Sequence, residues 1–358
     1  MIVVDAHEDI AYNALCFGRD YRHSAWETRR LEQGTELING RATVGLPDAL
    51  LGRVALVFST LFVAPRRKNS DASPWNRVAY ADAGEAYRLA GQQMDYYNRL
   101  ADETDKVRLV RTLADLDAVL ETWKDGKDVN DHCQGLVILM ENADPIIEPQ
   151  QFAEWHERGV RLVGPAWQET RYAGGTGHPG PLTRLGYELL DVMADYNAIL
   201  DLSHLAEKAC FEALDYYPGP IIASHSNPRY FRNSDRHLSD AAIRQLAERD
   251  GVIGIVLYNS FLSDEWTSTS HKSQVPLSRV LDVVDYICQL TGSAAHVGLG
   301  SDFDGGFGAD SIPDGLETVT DLWHIGGALR ERGYSEGDIT AILGGNMLRK
   351  LRQSLPRG

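Results

Sequence analysis

Residues 198–225 read AILDLSHLAEKACFEALDYYPGPIIASH. An apolar run, Ala198–Leu202, leads into Ser203 and His204. A helical pattern, Leu205–Tyr216, follows. A second apolar run, Pro220–Ser224, ends on His225. This is the signature of one β-α-β unit, and its two strands are expected to lie parallel. Parallel strands end on the same side, so His204 and His225 are expected to emerge together.

The same alternation extends in both directions. Six further apolar runs read as strands: Ile2–Asp5, Arg53–Phe62, Leu136–Met140, Val160–Val163, Val252–Leu257 and Val297–Gly300. Most are nearly continuous in apolar residues, as expected when both faces of a strand are buried. Helical spacing is present over Asp82–Leu100, Leu113–Trp123, Leu182–Tyr196, Ser239–Arg249 and Leu277–Leu290. Ser239 and Asp240 suit an N-terminal cap. Two helices, about Leu316–Arg332 and Ser335–Ser354, are expected to close the chain. Eight strands with intervening helices predict a (β/α)8 TIM barrel with its functional site at the C-terminal face of the strands. The 358 residues suit one decorated barrel domain over 1–358, with a polar loop insertion at about 17–47. A second long loop, Trp167–Pro181, is rich in glycine. Its Gly174–Gly177 stretch lacks the lysine and spacing of a phosphate loop and reads as a flexible lid or a turn.

The totals exclude several classes. A formal net charge of −16 argues against a nucleic-acid or anionic-membrane partner, since both require a positive surface. The four cysteines, Cys16, Cys133, Cys210 and Cys288, form no CxxC pair, which disfavours a thiolate metal site and suits a reducing compartment. The opening MIVVDAHEDI lacks the features of a signal peptide, and the longest strongly apolar runs, such as Val54–Val63, are too short to cross a bilayer as a helix. A cytoplasmic location is the expectation.

The residues following each strand carry the chemistry. His7, Glu8 and Asp9 follow the first strand and Glu141 the third. Ser203 and His204 follow the fifth, His225 the sixth, and Asp302, Phe303 and Asp304 the eighth. His7 and Asp9 are two residues apart and face the same side of an extended chain. Singly, each reads equally well as a loop histidine or a capping aspartate. Their shared position at strand ends points to a metal centre. Histidines with carboxylates and no cysteine suit zinc first, then manganese, iron or cobalt. Glu141, between two ligand pairs, suits a bridge between two divalent ions. Their charge would be roughly offset by Asp9, Glu141, Asp302 and a hydroxide.

The HED motif at 7–9 resembles the H-x-D motif of the membrane (renal) dipeptidase family of zinc peptidases. DLSHLAE, IIASHSNPR, RHLSD, GVIGIVLYNSFL, VGLGSDFDGG and GGNMLRKL are similar to further segments of that family. The resemblance covers nearly the whole chain. It implies that His7 and Asp9 bind one metal, that Glu141 bridges, and that His204 and His225 bind the other. It also implies that Asp302 contacts the bridging water and shuttles protons, and that Arg236 binds substrate. A homodimer is implied as well. Two departures stand out. Arg236 is followed by His237 where the family usually has asparagine. Trp167 stands at about the place of a family histidine that contacts substrate, and tryptophan accepts no proton.

The expected reaction is hydrolysis of a small amide, a dipeptide first, by a hydroxide held between two zinc ions. Asp302 would serve as proton carrier, and Arg236 would hold either the oxyanion or a terminal carboxylate. Trp167 reads equally as a packing residue or as a wall of the substrate site; Tyr258, at the end of the seventh strand, reads first as a packing residue and second as such a wall. His178 could reach in for the missing histidine or lie on the surface. An N-acyl amino acid or lactam as substrate, a silent metal-binding protein, and a one-metal lyase or isomerase are the competing readings. Asp304 could support Asp302 or cap the Gly305–Gly306 turn, and the turn is the favoured reading. Arg66–Lys68 reads as a solvated basic loop, and Tyr96 and Tyr97 as packing residues.

Overall fold

A computed structural model describes residues 1–66 and 77–357. Arg67 and Lys68 of the basic loop lie outside the described residues, while Arg66 pairs with Glu85.

The eight expected strands are all present: β1 Val3–Glu8, β2 Val54–Leu61, β3 Gln134–Met140, β4 Val160–Val163, β5 Ile199–Asp201, β6 Ile221–Ala223, β7 Val252–Ile255 and β8 Val297–Leu299. Every residue in them is buried, which is why most of them are nearly continuous in apolar residues. All neighbouring pairs are parallel, in the order β2-β1-β8-β7-β6-β5-β4-β3. Pairing of β2 with β3, from Leu56 opposite Gly135 to Leu61 opposite Met140, closes the ring. The result is the closed eight-stranded barrel that the strand count predicts. One short strand of this sheet was not expected: Val107–Leu109 pairs with the first half of β3 as its ninth member.

The helices begin where short polar side chains can take a free backbone N–H. Asp82 caps Ala83–Glu103, Thr183 caps Arg184–Asp195 and Ser239 caps Asp240–Glu248. Thr112 and Asp115 form a reciprocal capping box at Leu113–Glu121. Asp240 sits in the first helical turn, and Ser239 alone is the cap.

The two closing helices are shorter than expected. The first is α-helical only over His324–Arg332, after a tight turn at Val319–Trp323. The second is split into Glu336–Thr340 and Asn346–Ser354 by a wide π-helical turn at Ala341–Gly345. Gly344 lies there against β1; a Cβ on it would stand 3.2 Å from the backbone nitrogen of Val4. The wide turn coincides with this close approach of helix to strand.

The glycine-rich segment after β4 is a built element, not an open loop. Ala173–Gly175 pairs antiparallel with His178–Leu182, and Gly177 turns the chain at a φ of 73°. A Cβ on Gly174 would meet the nitrogen of Gly180 at 2.4 Å, so the hairpin closes only because the side chain is missing. The 17–47 insertion contains the helix Ala25–Leu31 and packs on the loop after β8. Gly40 meets the backbone of Gly308, and Arg41 pairs with Asp310.

Candidate metal centre

The strand ends gather six side chains. His7 is the penultimate residue of β1 and Asp9 follows the strand. Glu141 follows β3, His204 follows β5, His225 follows β6 and Asp302 follows β8. Glu141 Oε1 lies 3.7 Å from His7 Nε2, 3.4 Å from His204 Nε2 and 3.7 Å from His225 Nε2. His7 Nε2 is 3.9 Å from Asp9 Oδ1 and 3.7 Å from Asp302 Oδ1. The rings of His7 and His225 stack with centroids 3.6 Å apart.

Asp9 occupies the N-cap position of the helix Ile10–Phe17, yet its side chain makes no capping bond. Its Oδ1 takes the hydroxyl of Thr60 instead. The capping alternative is thereby removed, and the carboxylate belongs to the cluster. His204 and Asp302 both sit in the left-handed backbone region, at φ of 69° and 59°. Such conformations are unfavourable for residues with a Cβ and persist where surrounding structure enforces them, commonly at functional sites.

The cluster fits a cation on its own terms. Both ring nitrogens of His7 and Oε2 of Glu141 are buried without a hydrogen-bond partner. Unsatisfied buried polar groups are costly, and here they converge. Three sets of donor atoms each lie within 4.8 Å of one another: His7, Asp9 and Glu141; Glu141, His204 and His225; and His7, His225 and Asp302. Glu141 belongs to two of them, as a bridging carboxylate would. Burial, with Arg236 adding to it, lowers His7 to a pKa of about 3 and holds His204 and His225 well below the ordinary histidine range. The imidazoles are therefore neutral, which is the form that binds metal. Burial raises Asp9 to about 6, against the pull of Thr60, and lifts Glu141 and Asp302 well above the carboxylate range, with Asp9 adding to both. Bound cations would reverse that rise and hold the carboxylates ionised.

Beneath the cluster lies a layer that sequence reasoning missed. His225 Nδ1 is 2.8 Å from Ser224 Oγ, which donates to Asp201 Oδ2 at 2.5 Å. Asp201 Oδ1 accepts from the backbone of Ser203 and Ser224. Thr176, beside the hairpin turn, places its hydroxyl 3.0 Å from His204 Nδ1. The available signal was a carboxylate inside an apolar run: Asp5 in VVDAH and Asp201 in ILDLSH.

Above the cluster is a cavity of about 230 Å³. Arg236, Trp167, Tyr258 and Asp302 all line it, together with Asp9, Glu141 and His204. Two aromatic pairs line this cavity. Trp167 packs edge-on to Phe62 at 5.2 Å, and Tyr258 stacks on Phe307 at 4.4 Å. Arg236 is buried and anchored by Nη2 donating to the carbonyl of His225 at 2.7 Å and Nη1 donating to Ser226 Oγ at 3.2 Å. His178 is half exposed, 3.8 Å from Glu169, and does not line the cavity.

Asp304 has a different role from the one expected. Its Oδ1 accepts from the backbone and hydroxyl of Thr43 at 2.8 and 2.6 Å, and its Oδ2 lies 3.2 Å from Arg19 Nη1. It fastens the insertion to the barrel and does not cap the glycine turn. No residue of 17–47 lines the cavity among the described residues. The insertion is a buttress on the β8 loop.

Comparison with known proteins agrees with this geometry. The family model described as membrane dipeptidase (peptidase family M19) matches residues 1–355. An uncharacterized protein from the pqqA 5′ region of Klebsiella pneumoniae is 29% identical over 280 residues, covering 75% of this chain and 97% of its own. An uncharacterized dipeptidase of Schizosaccharomyces pombe is 25% identical over 358 residues, covering 97% and 79%. A crystal structure of a metallopeptidase from Rhodobacter sphaeroides, liganded with a phosphinate mimic of L-Ala-D-Ala, superposes with a TM-score of 0.79 at 24% identity, over 99% of each chain, and so shares the fold. The full-length match to the family model, on a barrel whose strand ends gather these histidines and carboxylates, establishes that the chain belongs to the membrane dipeptidase family, peptidase family M19.

Proposed function

We propose that the protein is a dipeptidase that works with two divalent cations, zinc suiting the donor set best. The carrying observation is Glu141 Oε1, which stands 3.4 to 3.7 Å from the Nε2 atoms of three imidazoles. His7 and Asp9 would hold one ion and His204 and His225 the other, with Glu141 shared. The cations, when bound, would polarise the scissile carbonyl and make water acidic enough to yield a nucleophile near neutral pH.

The chain's own groups do the rest. Asp302 faces both the cavity and the donor atoms of His7. It is the residue placed to accept the water proton and return it to the leaving amine. Arg236 is held rigid by its two bonds to the His225 carbonyl and Ser226, which suits it to pair with the substrate's terminal carboxylate. Trp167 and Tyr258, on the two aromatic walls, would pack against apolar side chains and exclude water. A single domain and a cytoplasmic location belong to the same reading; the four free cysteines accord with the latter. Among the described residues, no helix is long and apolar enough to cross a membrane. A homodimer is proposed on the family resemblance.

The test is amino-acid release from a panel of L,L and L,D dipeptides by zinc-loaded protein, with a chelated sample alongside. Chelator-sensitive release is expected, strongest with apolar side chains. Silence across the panel from protein that holds its metals would sink the dipeptidase reading and move the search to N-acyl amino acids and lactams.

A further inference from the structure

We propose that Asp201, acting through Ser224, sets the ring of His225 with its proton on Nδ1, so that Nε2 is presented bare to the second cation. The inference rests on the two-ion reading given above only in assigning Nε2 to a metal.

The argument is a count of protons. Ser224 has one hydroxyl proton. Its Oγ is 2.5 Å from Asp201 Oδ2 and 2.8 Å from His225 Nδ1. A bond to a carboxylate is the stronger and shorter of the two. The hydroxyl therefore donates to Asp201 and has only a lone pair left for the ring, so Nδ1 must carry the hydrogen. Ser203 Oγ, at 3.3 Å from Ser224 Oγ, is a longer alternative acceptor. It already takes the backbone N–H of His225 at 3.0 Å. Asp201 cannot turn away, because its Oδ1 accepts the backbone N–H groups of Ser203 and Ser224 at 3.0 and 2.8 Å. Ser224 is equally fixed. Cβ atoms built on Gly254, in β7, and on Gly300, just past β8, would fall 1.8 and 1.9 Å from its carbonyl oxygen, so the backbone there is closely packed.

The other histidines lack this arrangement. Thr176 can direct its proton either to His204 Nδ1 at 3.0 Å or to the His204 carbonyl at 3.4 Å, so that hydroxyl does not by itself fix the His204 tautomer. On the opposite side of the barrel, Asp5 repeats the pattern of Asp201. It accepts from the backbone and hydroxyl of Ser301 and from the backbone of His7. Yet no histidine ring is joined to that pair, and His7 Nδ1 has no partner. Asp201 is thus a positioning residue for the metal centre, and Asp5 is its built-in control.

The experiment uses the full chain and three variants: Asp201→Asn, Ser224→Ala and Asp5→Asn. Nitrogen-15 spectra of the metal-free proteins read the His225 tautomer. Zinc titration with elemental analysis reads the ions. In the unmodified protein Nδ1 is expected to carry the proton. Asparagine at 201 donates to Ser224 where aspartate accepted, so the serine proton turns to the ring and the His225 proton moves to Nε2. Second-ion affinity should then fall about 10- to 100-fold, the usual range for losing an outer partner of a metal-binding histidine. Ser224→Ala removes the constraint without reversing it and should leave a mixture of tautomers, which keeps the test open should Asp201→Asn fold poorly. Asp5→Asn should leave the His225 tautomer unchanged. A proton on Nε2 in the unmodified protein would overturn the inference outright. An unchanged tautomer and second-ion affinity in Asp201→Asn would overturn it with the two-ion reading intact. A protein with the expected tautomer that takes fewer than two ions would sink the two-ion reading while confirming the ring's orientation.

Discussion

The Nε2 atoms of His204 and His225 stand 3.0 Å apart, although the two residues follow different strands. Both also face Glu141 Oε1. Two neutral imidazoles whose ring nitrogens converge on one carboxylate are placed to share a cation.

Replacing that carboxylate tests the sharing. Glu141→Gln keeps the shape of the side chain and removes its charge. Bound metal is expected to fall from two ions to one, and kcat/KM to drop by about a thousandfold, the equivalent of several kcal/mol of lost charge stabilisation. Elemental analysis beside dipeptide turnover checks it. Two ions retained in the variant would show that Glu141 does not bridge.

The proposed proton carrier, Asp302, can be removed or displaced. Asp302→Asn should keep its metals and lose about 10²- to 10⁴-fold in kcat. Gly305→Ala should reach a similar end by another route, because its Cβ would fall 1.9 Å from Asp302 Oδ1 and 2.8 Å from the Asp302 carbonyl. Full turnover by Asp302→Asn with metals in place would assign the proton to another group.

The insertion holds the loop that carries Asp302. Arg19 and Asp304 are buried partners, with side chains 6% and 4% exposed. Arg19→Met leaves a buried carboxylate without its cation, which costs about 3–5 kcal/mol. A lower Tm is expected, and a lower kcat with unchanged metal content, since Asp304 is two residues from Asp302. A lower Tm with unaltered kcat would make the insertion a stabilising element only.

Acid should weaken the fold through His237. Burial lowers its pKa to about 3, with Arg236, Arg232 and Arg229 adding to the effect, and both ring nitrogens lack partners. The unfolded chain binds the proton near pH 6.5 and the folded chain only near 3. Stability is therefore complete above pH 6.5 and is lost as the pH falls toward 3. By pH 4 the loss through this group is roughly 3 kcal/mol. His237→Leu should lose less stability than the parent between pH 7 and pH 4, as read from urea midpoints. Equal losses would exonerate His237.

Much of this was legible in the chain. Each of the eight apolar runs is a strand because parallel strands buried on both faces leave no room for polar alternation. His7, Asp9, Glu141, His204, His225 and Asp302 could be picked out because each lies at or just past the end of a strand. Elsewhere the local pattern misled. Trp167–Pro181 looked like an open loop, yet two glycines let its halves close into a hairpin. Ser335–Ser354 looked like one helix, yet a wide turn splits it where Gly344 meets β1. Close backbone approach leaves no periodic mark in a sequence.

By itself, then, the sequence determined the barrel, the kinds of donor atom and the face on which they gather. Those follow from residue type and from a short repeating period, which are local properties. Which atoms meet depends on contacts made across the fold. Thr60 takes Asp9 from 51 residues away, Ser301 takes Asp5 from 296, and Thr43 takes Asp304 from 261. Closure of β2 on β3 and the register of each parallel pair bring such distant residues within reach, and no local propensity encodes that register.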